Sequence, residues 1–550
     1  MLCIHTIAIF GSRKAANVIT VALLILSVLF GEVHALDATD GPGDNSSRTT
    51  GAKQGIGTSA TSASKIWFTL GQGITHEVYF PQIDVPNVQD LQFIVSDRNT
   101  FVDLERDATN HEVLLPDPQA LTYRQVNTAK SGRYRITKTY VTDTDRPVLL
   151  MQTRFEVLSG GPYDLYVLYN PSLNGSGMGD SGASTGNALV ASDGNVASAL
   201  IASPGFVEVS NGYTAKGSDG LVDLKNAKRL TTVFDAAPSP GNLVQIGQIN
   251  VGQDTTFVLA LGFGATRQEA ANNANVSLAT NFATRQSRYQ EGWHAYLGPL
   301  TVPSSVTGST QLRTQYNVAL MAPKAFDHKT NPGAGIASLA TPWRDVVGAD
   351  GCCVFADGHG GYQSVCARDL YEVATAQLAA GDKNAAGRYL DFLFNKQQRG
   401  DGSIPHHSRV NGDDLGGATQ MDEVAYPIIL AWQLNRTDPA TWSKVQKSAD
   451  FIVRSGPRTD KERWEEQSGF SPSTIAAEIA ALVCAADIAD KNSDPGAAAT
   501  YRNTADDWQR NIENWAFTTS GVFPDKRYYI RINDDQNPND GGTIVMVVLR

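Results

Sequence analysis

Cysteine is scarce, with 5 residues in a chain of 550. Cys3 lies in an N-terminal segment discussed below, which leaves Cys352, Cys353, Cys366 and Cys484. No Cys-x-x-Cys spacing or accompanying His pair of the zinc type is present, and the count allows at most two disulfides. A basic excess is missing as well. Lys and Arg total 45 against 56 Asp and Glu, for a net charge of -11 and a pI near 5.3. That balance argues against nucleic acid or an anionic membrane as partner and suits an uncharged one. After residue 35 no apolar run is expected to cross a bilayer. Charged residues make up only 18% and hydrophobic ones 41%, a globular composition, and the length asks for about two to four domains.

What is present begins with a signal. "GSRKAAN" is basic, "VITVALLILSVLF" is apolar, and "VHA" ends at Ala35 with small residues. Residues 1–35 thus have the anatomy of a secretory signal peptide, and the protein is expected outside the cell. Residues 36–64 are Gly, Ser, Thr and Asp with few large apolar side chains, which predicts a flexible linker. From 65 to 302 the texture is β. Short alternating runs such as "PYDLYVLYNPSL", with Tyr163, Leu165, Val167 and Tyr169 on one face, predict a large antiparallel sandwich. Residues 266–290 read as one connecting helix. Beyond Thr310 the period becomes helical, with helices expected near 311–325, 364–379, 383–397, 421–434, 439–455, 473–490 and 495–514. In "SPSTIAAEIAALVCAADIAD", Ser471 is expected to cap and Pro472 to open a helix whose buried face holds Ile475, Ile479, Leu482 and Ala486. Sequons stand at Asn45, Asn174, Asn275 and Asn435.

Three stretches between the helices carry polar chemistry. In "RWEEQSGFSPST" the pair Glu465 and Glu466 follows Trp464. An acid beside an indole loses solvation and a second acid repels it, so a raised pKa and a proton donor are expected. Taken alone, the pair also reads as a solvated charge run balancing Lys461 and Arg463. In "GGYQSVCARDLYE", Arg368 and Asp369 start a helix, and a guanidinium beside a carboxylate can hold vicinal hydroxyls. In "RGDGSIPHHSRVNGDD", His406 and His407 suggest a metal, but rings from adjacent residues are expected to diverge, so no metal is assigned. Asp422 and Glu423 open the next helix and favour its dipole.

These stretches together resemble the bacterial glucoamylase and glucodextranase group of glycoside hydrolase family 15. "KIWFTLGQGITHEVYFPQIDVPNVQDLQFIVSD" and "LYNPSLNGSGMGDSG" resemble the family's N-terminal β-supersandwich. "GGYQSVCARDLYEVATAQLAAGD", "QMDEVAYPIILAWQL" and "RWEEQSGFSPSTIAAEIAALV" resemble its (α/α)6 barrel. The resemblance implies a fold of β-supersandwich (65–302) followed by an incomplete barrel (303–550). It implies a secreted, exo-acting, inverting α-glucosidase that frees glucose from non-reducing ends of oligo- or polysaccharide α-glucans. It makes Glu465 the catalytic acid, Glu466 a contact on the leaving side, Trp464 a pocket wall, and Arg368 and Asp369 the grip on the terminal glucose. No cofactor is assigned; calcium occurs in such enzymes, but no oxygen-ligand loop stands out. The preference among α-1,4, α-1,6 and trehalose linkages is not legible.

The chain also departs from that family. Cys366 and Ala367 stand where Trp-Pro or Trp-Ser precedes Arg-Asp, and "PHH" at 405–407 replaces Pro-Gln-Asn. "GADGCCVFADGHGG" is a Cys-containing version of a variable loop. About seven helices are legible where six hairpins are needed, and "DGGTIVMVVLR" is expected to leave the family pattern after Gly542. The family's general base falls beyond that point. The alternative expectation is therefore a catalytically impaired carbohydrate-binding relict.

Overall fold

The computed structural model describes residues 36–46, 49–339, 361–463, 465, 467–521, 524 and 526–533. The expected signal peptide, Cys352, Cys353 and the end after Gly542 lie outside them. Two antiparallel sheets come first. One runs, in spatial order, Lys53–Gly57, Trp67–Gly71, Ile74–Tyr79, Val88–Ser96, Asp164–Pro171, Leu243–Ile249 and Phe206–Tyr213. The other has nine strands, with Asp254–Gly264 between Val196–Ser203 and Val148–Val157 at its centre. Leu165, Val167 and Tyr169 point into the core shared by the sheets, as the alternation predicts. Tyr166 and Leu168 pack on the opposite face against Ile94 and Ile246, so this central strand is covered on both sides.

Helices follow. The single helix expected over 266–290 is two, α1 (Arg267–Leu278) and α2 (Phe282–Leu297). The break falls where the Asn281 side chain accepts from the Ala283 N–H and starts a new helix. Then come α3 (Thr310–Phe326), α4 (Ala367–Ala379), α5 (Lys383–Phe392), α6 (Met421–Gln433), α7 (Pro439–Ser455), α8 (Pro472–Lys491) and α9 (Pro495–Ala516). α6 packs beside both α4 and α8, while α5, α7 and α9 lie alongside as their hairpin partners. The fold is the expected one of antiparallel β-sandwich followed by helical hairpins.

Two details of α8 differ from expectation. Ser471 occupies the capping position, but its Oγ meets Ser473 Oγ rather than a backbone N–H. By length and composition alone α8 could cross a membrane, contrary to the reading that no late segment could. Its apolar side is instead taken up by packing, with Ile475, Leu482, Ala485 and Ala486 buried.

The junction of sheet and helices depends on strand alternation. Phe68 enters the sandwich core, and Trp67 next to it faces the helices. Trp67 Nε1 donates to Ala325 O at 2.9 Å, satisfying a carbonyl in the last turn of α3 that has no helical partner. His328 stacks on the indole at 6.1 Å and Lys329 Nζ lies 5.0 Å above it. Lys329 also donates to Thr58 Oγ1 and Ser64 O. The stretch expected to be a flexible linker therefore contains an edge strand, Lys53–Gly57, and the anchor of a buried ammonium.

Trp67→Ala is expected to cost about 3–5 kcal/mol, read as a drop in thermal and urea stability. His328 Nδ1 accepts from the Thr330 and Asn331 N–H groups, which only the neutral ring does. Burial lowers its pKa from 6.5 to about 4. A His with a depressed folded pKa stabilises the fold above the unfolded value and loses that contribution as pH falls through the folded one. Unfolding free energy should thus decline between about pH 6.5 and pH 4, and the decline should be shallower in His328→Asn.

Candidate active site

The alternate helices α4, α6 and α8 bring their N-terminal ends together. Arg368 and Asp369 sit in the first turn of α4. Gln420 precedes α6, and Asp422 and Glu423 occupy its first turn. Glu465 lies in the loop leading to α8. Helix N-termini present unpaired N–H groups and a positive potential, which suits carboxylates at this end.

Arg368 is the hub. Its Nε donates to Asp422 Oδ2 at 3.0 Å, its Nη2 to Gln420 Oε1, and its Nη1 to the Arg463 carbonyl at 3.4 Å. Asp422 is fully buried and also accepts from Tyr426 Oη at 3.3 Å. Arg463 in turn donates to Tyr426 Oη at 2.9 Å, and the Tyr426 ring stacks on Tyr371 at 4.4 Å. The guanidinium's partner is thus Asp422, from another helix, rather than its neighbour Asp369. Burial raises the Asp369 pKa and the charge of Arg368 opposes it; His406 and Glu465 also act on this carboxyl. Arg368, Asp369 and Glu465 accordingly share one electrostatic neighbourhood.

The loop carrying Glu465 is pinned at its base. Thr459 and Gly469 exchange two backbone hydrogen bonds of 3.0 Å, and Glu462 N–H donates to Gln467 O at 2.9 Å. Within that turn Glu465 N–H donates to Glu462 O at 2.7 Å, and Glu465 takes a left-handed φ of 65°. A side chain other than glycine pays about 1–2 kcal/mol for that conformation, a kind of strain that gathers at functional sites.

The carboxylate itself departs from expectation. Its Oε1 lies 2.9 Å from His406 Nε2. Burial alone would raise its pKa, but the hydrogen bond and charge of His406, with Arg368 behind them, outweigh burial and set it at about 2. His406 is the mirror image: burial would lower it, while Glu423 and Glu465 raise it to about 10. The raised acid expected at this position is therefore corrected to an ionised one paired with an imidazolium. Trp464 and Glu466 lie outside the described residues.

Sequence reasoning missed His406, Gln420, Asp422 and Glu423 as members of the site. The two acids read as dipole partners; they are instead fully buried counter-ions. The histidine rings do not diverge: their centroids are 3.8 Å apart. His406 Nδ1–H donates to Glu423 Oε1 at 3.2 Å. Gly417, at φ 96°, passes so close that a Cβ there would sit 3.0 Å from that of His406. The two departures from the family pattern also meet, since Cys366 and His407 pair in a two-stranded ladder. The two departures themselves were the available signal.

A model described as glucodextranase, domain N matches residues 38–298, and one described as glycosyl hydrolases family 15 matches residues 398–550. The second match runs on past Gly542, where a departure was expected. A glucoamylase of Clostridium sp. (strain G0005) is 38% identical over 97% of this chain and 76% of its own length. The crystal structure of a bacterial glucoamylase complexed with acarbose is 37% identical, with a TM-score of 0.84 over 92% of this chain and 73% of that one.

Removing the hub's buried counter-ion tests the network. Asp422→Ala strands the Arg368 charge and should lower the free energy of urea unfolding by about 3–5 kcal/mol.

Proposed function

Starting from a chain that belongs to glycosyl hydrolase family 15 and is a glucoamylase-type glycoside hydrolase, we propose that it acts outside the cell. There it releases glucose from the non-reducing ends of α-glucans with inversion at the anomeric carbon. The observation that carries this reading is the meeting of Glu465, Arg368 and Asp369 at the N-terminal ends of α4, α6 and α8. Acarbose in the related crystal structure supports a sugar-shaped ligand.

In this reading Arg368 and Asp369 hold hydroxyls of the terminal glucose. Arg368 is already oriented by Asp422, so little side-chain freedom is lost on binding. Glu465 delivers a proton to the glycosidic oxygen as its bond to the anomeric carbon breaks. That proton has a short route, since His406 Nε2 stands 2.9 Å from Glu465 Oε1 and the sugar oxygen takes over as the final acceptor. The likeness to the family gives Trp464 the part of a pocket wall and Glu466 that of a contact on the leaving side. An inverting reaction also takes a second carboxylate, about 6.5–9.5 Å from the first, to activate water. Glu465 supplies the acid half.

Glucose released from maltose and isomaltose measures the activity. Glu465→Gln should lower it by about 10²–10⁴-fold while leaving sugar binding intact. Unchanged release would remove Glu465 as the acid. Binding of maltose by the wild-type chain without any release would favour the carbohydrate-binding relict instead.

A further inference from the structure

Three side chains with soft donor atoms meet behind the carboxylates. Cys366 ends the strand Val365–Cys366 and is the register partner of His407 in the strand His407–Ser408. The His406 ring lies against that of His407, with the planes inclined at 52°. One donor atom from each of Cys366, His406 and His407 lies within 4.8 Å of the others. Cys366 and His406 are buried and His407 is half-buried. A fourth donor adjoins them: Glu423 Oε1 is 3.3 Å from Cys366 Sγ and 3.2 Å from His406 Nδ1.

Thiolate, imidazole and carboxylate together form a donor set for a borderline-soft cation, not for calcium or magnesium. The surroundings fit ligand support as well. Ser364 Oγ lies 3.2 Å from His407 Nδ1, a contact of the kind that orients a ligating ring. Zinc holds sulfur at about 2.3 Å and nitrogen at about 2.0–2.1 Å. The donors must therefore close by roughly 1 Å, a movement of side chains on a fixed ladder.

We propose that Cys366, His406 and His407, with Glu423, bind one thiophilic divalent cation such as Zn²⁺ on the His406 nitrogen that faces Glu423, and that the ligated ring, still held on Glu465 by its other nitrogen, no longer passes a proton to that carboxylate, which halts hydrolysis. The cation replaces the proton of the Cys366 thiol and that of the His406 ring, and both pass to solvent; nothing is oxidised or reduced. The binding half of this proposal stands by itself, and the halting half rests on the function proposed above.

The test uses the full chain, stripped with a chelator and titrated with Co²⁺ and then Zn²⁺. One equivalent of Co²⁺ should produce a thiolate-to-cobalt charge-transfer band that Zn²⁺ abolishes by displacement. The band should vanish in Cys366→Ser and in His407→Asn and persist in Cys484→Ser, whose thiol lies elsewhere on α8. Zinc should suppress glucose release by the wild type, a chelator should restore it, and release by Cys366→Ser should be the same with and without zinc. Cobalt bound without the band, or a band that survives Cys366→Ser, would overturn the site. A band with undiminished glucose release in zinc would overturn the halting half. A chain that shows the band but never releases glucose would sink the hydrolytic reading and leave the metal site standing.

Discussion

A guanidinium out of water must find partners for five N–H donors, and the architecture of this site follows from where Arg368 finds them. It draws on Asp422 and Gln420 at the start of α6 and on the Arg463 carbonyl in the acid-bearing loop. One side chain on α4 thereby fixes the spacing of three segments far apart in sequence. The second cation, His406, repeats the arrangement one step away, with Glu423 on one nitrogen and Glu465 on the other. Both cations are matched by carboxylates, and burial of those carboxylates strengthens the contacts.

Much of the fold could be read from the chain because its causes are local. The helices from α3 onward fall close to their expected places, since Pro472, Pro439 and Pro495 open three of them. The alternation of Tyr163, Leu165, Val167 and Tyr169 marks a strand for the same reason. The failures have non-local causes. Nothing within residues 36–64 shows that Thr58 and Ser64 will receive an ammonium from Lys329, some 270 residues later. The apparent polarity of that stretch is the polarity of a hydrogen-bonded anchor.

The site divides along the same line. Arg368, Asp369 and Glu465 were found by residue type and by likeness to a family. The protonation of Glu465 was not, because it depends on His406, 59 positions upstream. Trp464, Glu465 and Glu466 invite an argument from neighbours in sequence. The folded chain answers with a neighbour in space, whose hydrogen bond and charge, joined by the charges of His407 and Arg368, together outweigh burial.

The left-handed turn at Glu465 sets backbone comfort against chemistry at a single residue. Gly or Asn would relax that φ, and neither carries an exchangeable carboxyl proton. Either change would also remove the ion pair with His406, so relief of the turn and loss of the pairing oppose one another in any score of heat resistance. Any effort to toughen the protein has to be guarded at position 465 by a selection that reads turnover.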